Sequence, residues 1–245
     1  MNIIKLNAID STNSYLKGLA VKSFIESYTV VIAEHQTEGR GQMGTTWVSD
    51  NGKNLTFSVL INFKTFKVQD QFYLSMAVSL AVLNSVKMNV KTPIAIKWPN
   101  DILAGKDKLA GILIENVLSG NFIKQSIVGI GLNVNQQVFS NSIGRATSLK
   151  MISGINFDND LLLAEIITSI RYFVGYIERN EFKQLKVLYL ESLYQFNKPT
   201  MFEDKIGTVF LGKIVDVFED GKLVVEFENE KTHKFNLKEI KFASL

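Results

Sequence analysis

Residues 94–115 read IAIKWPNDILAGKDKLAGILIE. Three apolar runs, 94–98, 101–104 and 109–115, predict short strands. The polar run Gly105-Lys106-Asp107-Lys108 predicts the hairpin turn between the last two, and Lys97-Trp98-Pro99-Asn100-Asp101 lies between the first two. Upstream, 70–88 is a helix-length apolar segment with Asp70 as a plausible N-cap. Residues 54–62 alternate in part, as a half-buried strand does, and 28–34 (YTVVIAE) predict a buried strand. Downstream, 122–134 predict a strand ending in GIGLNV, and a long helical zone covers 158–196, opened by Asn159 or Asp160 as cap.

Beyond Pro199, which ends any helix there, the texture changes. Residues 200–245 carry alternating runs with a DG turn at Asp220-Gly221, the signature of a small antiparallel β module. The expected division is 1–196 for a catalytic domain and 197–245 for a C-terminal one. The fold class is α+β, a mixed β-sheet flanked by helices with a β-barrel-like appendage.

The bulk numbers restrict the chemistry. A chain of 245 residues with 46% hydrophobic and 21% charged residues can bury a full core. With 27 basic and 24 acidic residues the net charge is +3, which does not call for a nucleic-acid partner. Cysteine is absent, so disulfides, thiolate metal sites and catalytic thiols are excluded. With only His35 and His233 available, a multi-histidine metal site is not expected. No apolar run reaches the roughly 18 residues of a membrane helix, and the first seven residues lack the apolar run of a signal peptide.

Five segments carry candidate chemistry. Asp10-Ser11-Thr12-Asn13 precedes a helical pattern and reads first as an N-cap; its hydroxyls and amides also suit a small polar ligand or anion. Residues 34–47 (EHQTEGRGQMGTTW) follow a strand. Their glycines let backbone approach a ligand, and Arg40 can grip a carboxylate or phosphate in bidentate fashion. Lys97–Asp101 packs a cation, a ring, a bend, an amide and a carboxylate into five positions, whether for a turn or for a site. Lys108-Leu109-Ala110-Gly111 opens a small-residue strand whose lysine can turn its ammonium inward. Gly129–Val134 offers a second close approach, with Asn133 as polar reader; the same glycines also suit a strand packed tightly on a helix.

DSTN, GRG…W, KWPND, KLAGIL and GIGLNV, in this order and at these intervals, resemble the catalytic and C-terminal domains of biotin–protein ligases over essentially the whole chain. The resemblance implies a mixed sheet flanked by helices with a small SH3-like C-terminal domain. It implies an ATP-dependent enzyme that makes biotinyl-5'-AMP and transfers biotin to a lysine of a biotin carboxyl carrier protein of an acyl-CoA carboxylase. Biotin would meet Ser11, Thr12, Asn13, Gln36, Arg40, Gly41, Gln42, Lys108 and Gly111; ATP would meet Arg40, Trp98, Asn100, Lys108 and Asn133. Lys108, Arg40 and Asp101 take the catalytic roles, Asp101 assisting the incoming lysine. Lys97 adds positive charge, Trp47 anchors the loop 38–46, and Mg²⁺ arrives on the ATP phosphates.

Members with GRGRRGR carry further arginines where this chain has Gln42, Met43 and Thr45. Weaker adenylate retention, or charge supplied by other residues, is therefore expected. DSTN at residues 10–13 leaves no room for a helix-turn-helix domain before it, so a cytoplasmic ligase without DNA or membrane binding is expected. Monomer and homodimer stay open. Alternatives are a lipoate or octanoate–protein ligase of the same fold, or a catalytically weak biotin-binding protein.

Overall fold

The first seven strands of the computed structural model, which describes residues 2–140 and 144–243, form one sheet in the order β1-β2-β3-β7-β6-β5-β4. They are β1 Ile3–Ile9, β2 Val30–Gln36, β3 Leu55–Lys67, β4 Ile94–Lys97, β5 Asp101–Ala104, β6 Asp107–Ser119 and β7 Phe122–Leu132. β1 and β2 run parallel; every other neighbouring pair is antiparallel, so the sheet is mixed.

The period-2 rule explains its two faces. Along β3, Leu55, Phe57, Val59 and Ile61 belong to the main core, with Val128 and Ile130 of β7 and Ile112 of β6. The helices α2 (Phe72–Lys87) and α4 (Asn159–Glu178) cover that side. Thr56 and Ser58 alternate with these residues and face the other way. There α1 (Thr12–Lys22) packs Leu16 onto Val31, Leu60 and Ile127. Helices on both faces leave one stretch of the second face, beside the start of α1, uncovered.

The second sheet, β11-β10-β9-β8-β12, is antiparallel throughout, as expected for an SH3-like fold. Its strands are β8 Pro199–Asp204, β9 Val209–Val217, β10 Leu223–Phe227, β11 Thr232–Phe235 and β12 Ile240–Phe242. Phe202, Ile214, Val217 and Leu223 from this sheet join the same apolar cluster as α2 and the large sheet. The turn between β9 and β10 makes the join specific. Trp98 Nε1 donates to the Gly221 carbonyl at 2.9 Å, and Phe72 N donates to that of Glu219 at 3.2 Å. Gly221 has φ 90°, a conformation that glycine tolerates, and a Cβ there would sit 2.7 Å from the Phe72 ring.

Several expectations need correction. Asp70 does not cap α2: a single 3-10 turn, Val68–Asp70, precedes Gln71, which makes no side-chain cap. The cap of α4 is Asp158, one residue before the expected pair; its carboxylate accepts from Asp160 N at 2.8 Å and Leu161 N at 3.1 Å. The helical zone 158–196 is two helices, α4 and α5 (Phe182–Glu191), separated at Asn180, whose φ of 58° ends the first. The turn at 105–108 is shorter than expected, because β6 already begins at Asp107. β1 and the short helix α3 (Leu149–Ser153) had no counterpart in the sequence reading.

Candidate active site

A row of directly opposed residues crosses four strands. Thr56 faces Gly131, Gly131 faces Gly111, and Gly111 faces Asp101. The next row sets Ser58 opposite Gly129 and Gly129 opposite Leu113. Opposed residues share a face, so the glycines form a trough with polar residues at its ends. The ring of Trp47 lies in it, and a Cβ on Gly131 would overlap that ring. Gly129 gives its space to Asn13 of α1. The close approach offered by GIGLNV is thus used first by the protein's own side chains. A cavity of about 240 Å³ remains, walled by the start of α1, residues 40–47 and β6.

The start of α1 is a closed polar network. Ser11 caps the helix, accepting from Ser14 N. Gln36 Oε1 accepts from Thr12 N at 2.8 Å and from Thr12 Oγ1 at 3.0 Å. The fully buried Ser58 lies 2.7 Å from Thr12 Oγ1 and donates to Asn13 Oδ1 at 2.6 Å. Asn13 Nδ2 donates to Glu115 Oε2 at 2.9 Å. These buried groups are satisfied and fixed in place, the preorganised condition that a polar ligand head requires.

Two cations flank the cavity, each on a carboxylate. Lys108 Nζ is 2.7 Å from Asp101 Oδ1 and 5.8 Å from the centre of the Trp47 ring. Arg40 Nη2 is 3.2 Å from Glu115 Oε1, and its Nη1 donates to Ser14 Oγ at 3.3 Å. Both pairs are half-buried at the mouth of the cleft, with the carboxylate the more enclosed partner in each. An incoming phosphate or carboxylate can replace that carboxylate as the partner of either cation.

Ser11, Thr12, Asn13, Gln36, Arg40, Gly41, Gln42, Asn100, Asp101, Lys108 and Gly111 all line this cavity. Asn100 Nδ2 donates to the Ile112 carbonyl at 2.8 Å and braces β6. Trp98 and Asn133 do not line it. Trp98 is buried and joined to Gly221. Asn133, also buried, donates to the Thr147 carbonyl at 3.0 Å, while Thr147 N donates to the Lys108 carbonyl. Asn133 thus steadies the strand that presents Lys108. Lys97 faces a neighbouring cavity instead.

Glu115, Ser58 and Ser14 were not singled out from the sequence. Glu115 was within reach: it follows Gly111 and Leu113 at the strand period, on the same face. Ser58 and Ser14 act through partners distant in sequence and carry no local signal. Among the described residues, no group of three or more His, Cys, Asp or Glu side chains stands ready to hold a metal ion.

A sequence profile described as the Biotin/lipoate A/B protein ligase family matches residues 6–133. The chain belongs to this family. The bifunctional ligase/repressor BirA of Bacillus spizizenii is 29% identical over 228 residues, covering 92% of this chain and 69% of that protein. The biotin–[acetyl-CoA-carboxylase] ligase of Mycobacterium tuberculosis is 41% identical over 129 residues, covering 51% of this chain and 47% of that one. Among solved structures, the biotin protein ligase from Aquifex aeolicus in complex with biotin and ATP superposes with a TM-score of 0.80 at 27% identity, covering 99% of each chain. The superposition thus takes in this chain's second, antiparallel sheet along with the first.

Proposed function

We propose that this chain is an ATP-dependent biotin–protein ligase that forms biotinyl-5'-AMP and transfers biotin to a carrier lysine of acetyl-CoA carboxylase. The observation that carries the reading is the likeness, over 99% of the chain, to an enzyme solved with biotin and ATP. The cleft supports it, with two cations flanking a glycine-floored trough beside a polar helix start.

In the first step a biotin carboxylate oxygen bonds to the α-phosphorus of ATP and the bond to the β-phosphate oxygen breaks, releasing pyrophosphate. Two anions must approach, and Lys108 and Arg40 supply the positive charge that makes this feasible. Magnesium carried on the nucleotide's phosphates would add to that charge. In the second step a neutral lysine amine forms an amide with the biotinyl carbonyl, and AMP leaves. Asp101 loses Lys108 to the phosphoryl group and is then free to take the amine's proton.

Ser11, Thr12, Asn13 and Gln36 are the proposed partners of the ureido head, with Trp47 and the glycine floor against the apolar body. Gly41 and Gln42 belong to the loop over the adenylate. Asn100 contacts the nucleotide from the turn before β5, while Trp98 and Asn133 act from behind the cleft. Residues 1–196 form the ligase domain and 197–245 the SH3-like domain. A cytoplasmic location and an absence of DNA binding complete the proposal.

Pyrophosphate release in the presence of ATP and either biotin or lipoate tests the reading. Release that depends on biotin is expected; release with lipoate alone would replace it with the lipoate reading.

A further inference from the structure

Residues 39–47, at the rim of the cleft, make a short hairpin. Arg40 bridges to Thr46, Gly41 N donates to the Thr45 carbonyl at 2.7 Å, and Trp47 N donates to that of Gly39 at 2.9 Å. Its ends are anchored through the Arg40 side chain and the Trp47 ring. Its tip is different. Among the described residues, one hydrogen bond ties residues 41–46 to anything outside the hairpin. It comes from the other sheet: Lys238 Nζ donates to the Met43 carbonyl at 3.0 Å.

Both ends of this bond lie in left-handed backbone, Met43 at φ 51° and Lys238 at φ 64°. Side chains other than glycine rarely adopt that region, and such residues persist where surrounding contacts hold them. Met43 also lines two cavities, of about 490 and 390 Å³, that Leu237, in the turn between β11 and β12, lines as well. Three basic positions of the arginine-rich loops are here Gln42, Met43 and Thr45, so the tip has no cation of its own with which to grip.

We propose that Lys238 is a positioning residue for the adenylation loop. The C-terminal sheet reaches across and latches the tip through its backbone, supplying from outside the hold that the loop's side chains lack. The second sheet thereby controls how long the activated intermediate stays under the loop. This deepens the ligase reading and rests on it for the word adenylate; the latch itself does not.

Arg40 gives a direct readout, because trypsin cleaves after it only when residues near 41 become free. The ligand-free full chain is compared with Lys238→Met and Lys238→Arg. Lys238→Met should speed cleavage after Arg40 at least threefold, with Lys238→Arg at the wild-type rate. In turnover with ATP and biotin, Lys238→Met should raise the ratio of free biotinyl-adenylate to pyrophosphate severalfold. Cleavage after Arg40 at an unchanged rate in Lys238→Met overturns the latch. Should the wild-type chain release no pyrophosphate with biotin, the ligase reading fails while the proteolysis still decides the latch.

Discussion

The two cations of the cleft are mounted differently. Lys108 stands on β6, between the hydrogen-bonded β5 and the segment 145–147, with Asn133 steadying the backbone from behind. Arg40 stands on a hairpin whose tip, among the described residues, is hydrogen-bonded to the rest of the protein by one lysine. The strand-mounted charge is held by the backbone of the sheet, and the loop-mounted charge by its own side-chain contacts to Ser14 and Glu115. A ligase needs both: rigid charge where phosphorus is attacked, and a cover that opens to admit biotin and a carrier.

The largest effect should follow from Lys108→Ala. Loss of a preorganised charge at the reacting group costs about 10²–10³-fold in rate, so biotin-dependent pyrophosphate release should fall by at least that factor. Its melting temperature should fall by about 4 °C or less, since a half-buried pair at the cleft wall contributes on the order of 1 kcal/mol. Activity within tenfold of wild type would remove Lys108 from the chemistry.

Gly131→Val attacks the floor common to both halves. Its side chain overlaps the Trp47 ring, and overpacking of this kind costs about 1–3 kcal/mol. The ring should be driven out of the trough, seen as a red shift in tryptophan emission, with KM for biotin raised. Unchanged emission and KM would place Trp47 outside the site. Arg40→Ala should cost less, about tenfold or ~1.4 kcal/mol in kcat/KM, because the charge it removes is loop-borne. A loss equal to that of Lys108→Ala would erase the contrast between the two mounts.

The smallest effect belongs to Glu115→Gln. The pair it breaks with Arg40 is worth about 1 kcal/mol at most, and the melting temperature should fall by no more than about 4 °C. The freed arginine should bind ATP as well as before or better, by calorimetry; a weaker ATP affinity would make Glu115 a necessary holder of Arg40.

What the sequence disclosed follows the same divide. Strands near the cleft were legible because alternation and glycine spacing are local signals; β6 and β7 lie within a few residues of their expected ranges. β1 was not, since an exposed edge strand with the polar residues Lys5 and Asn7 shows no apolar run. The cap of α4 was misplaced by one residue because Asp158, Asn159 and Asp160 are all capable of it, and only backbone geometry chooses. Eleven of the residues expected at the cleft came from the motif resemblance, and the geometry groups them. Trp98 and Asn133 read as ligand contacts because their motifs adjoin the site, yet their buried side chains bond to backbone carbonyls of other segments. Pairings across long sequence separation, such as Lys238 with Met43, leave no trace in a single sequence.

The most direct test is transfer of biotin to the carrier domain of acetyl-CoA carboxylase, followed by mass spectrometry with and without ATP. One biotinyl group should appear on one carrier lysine when ATP and biotin are both supplied, and none when either is withheld. An unmodified carrier with all components present, or modification without ATP, would contradict the account.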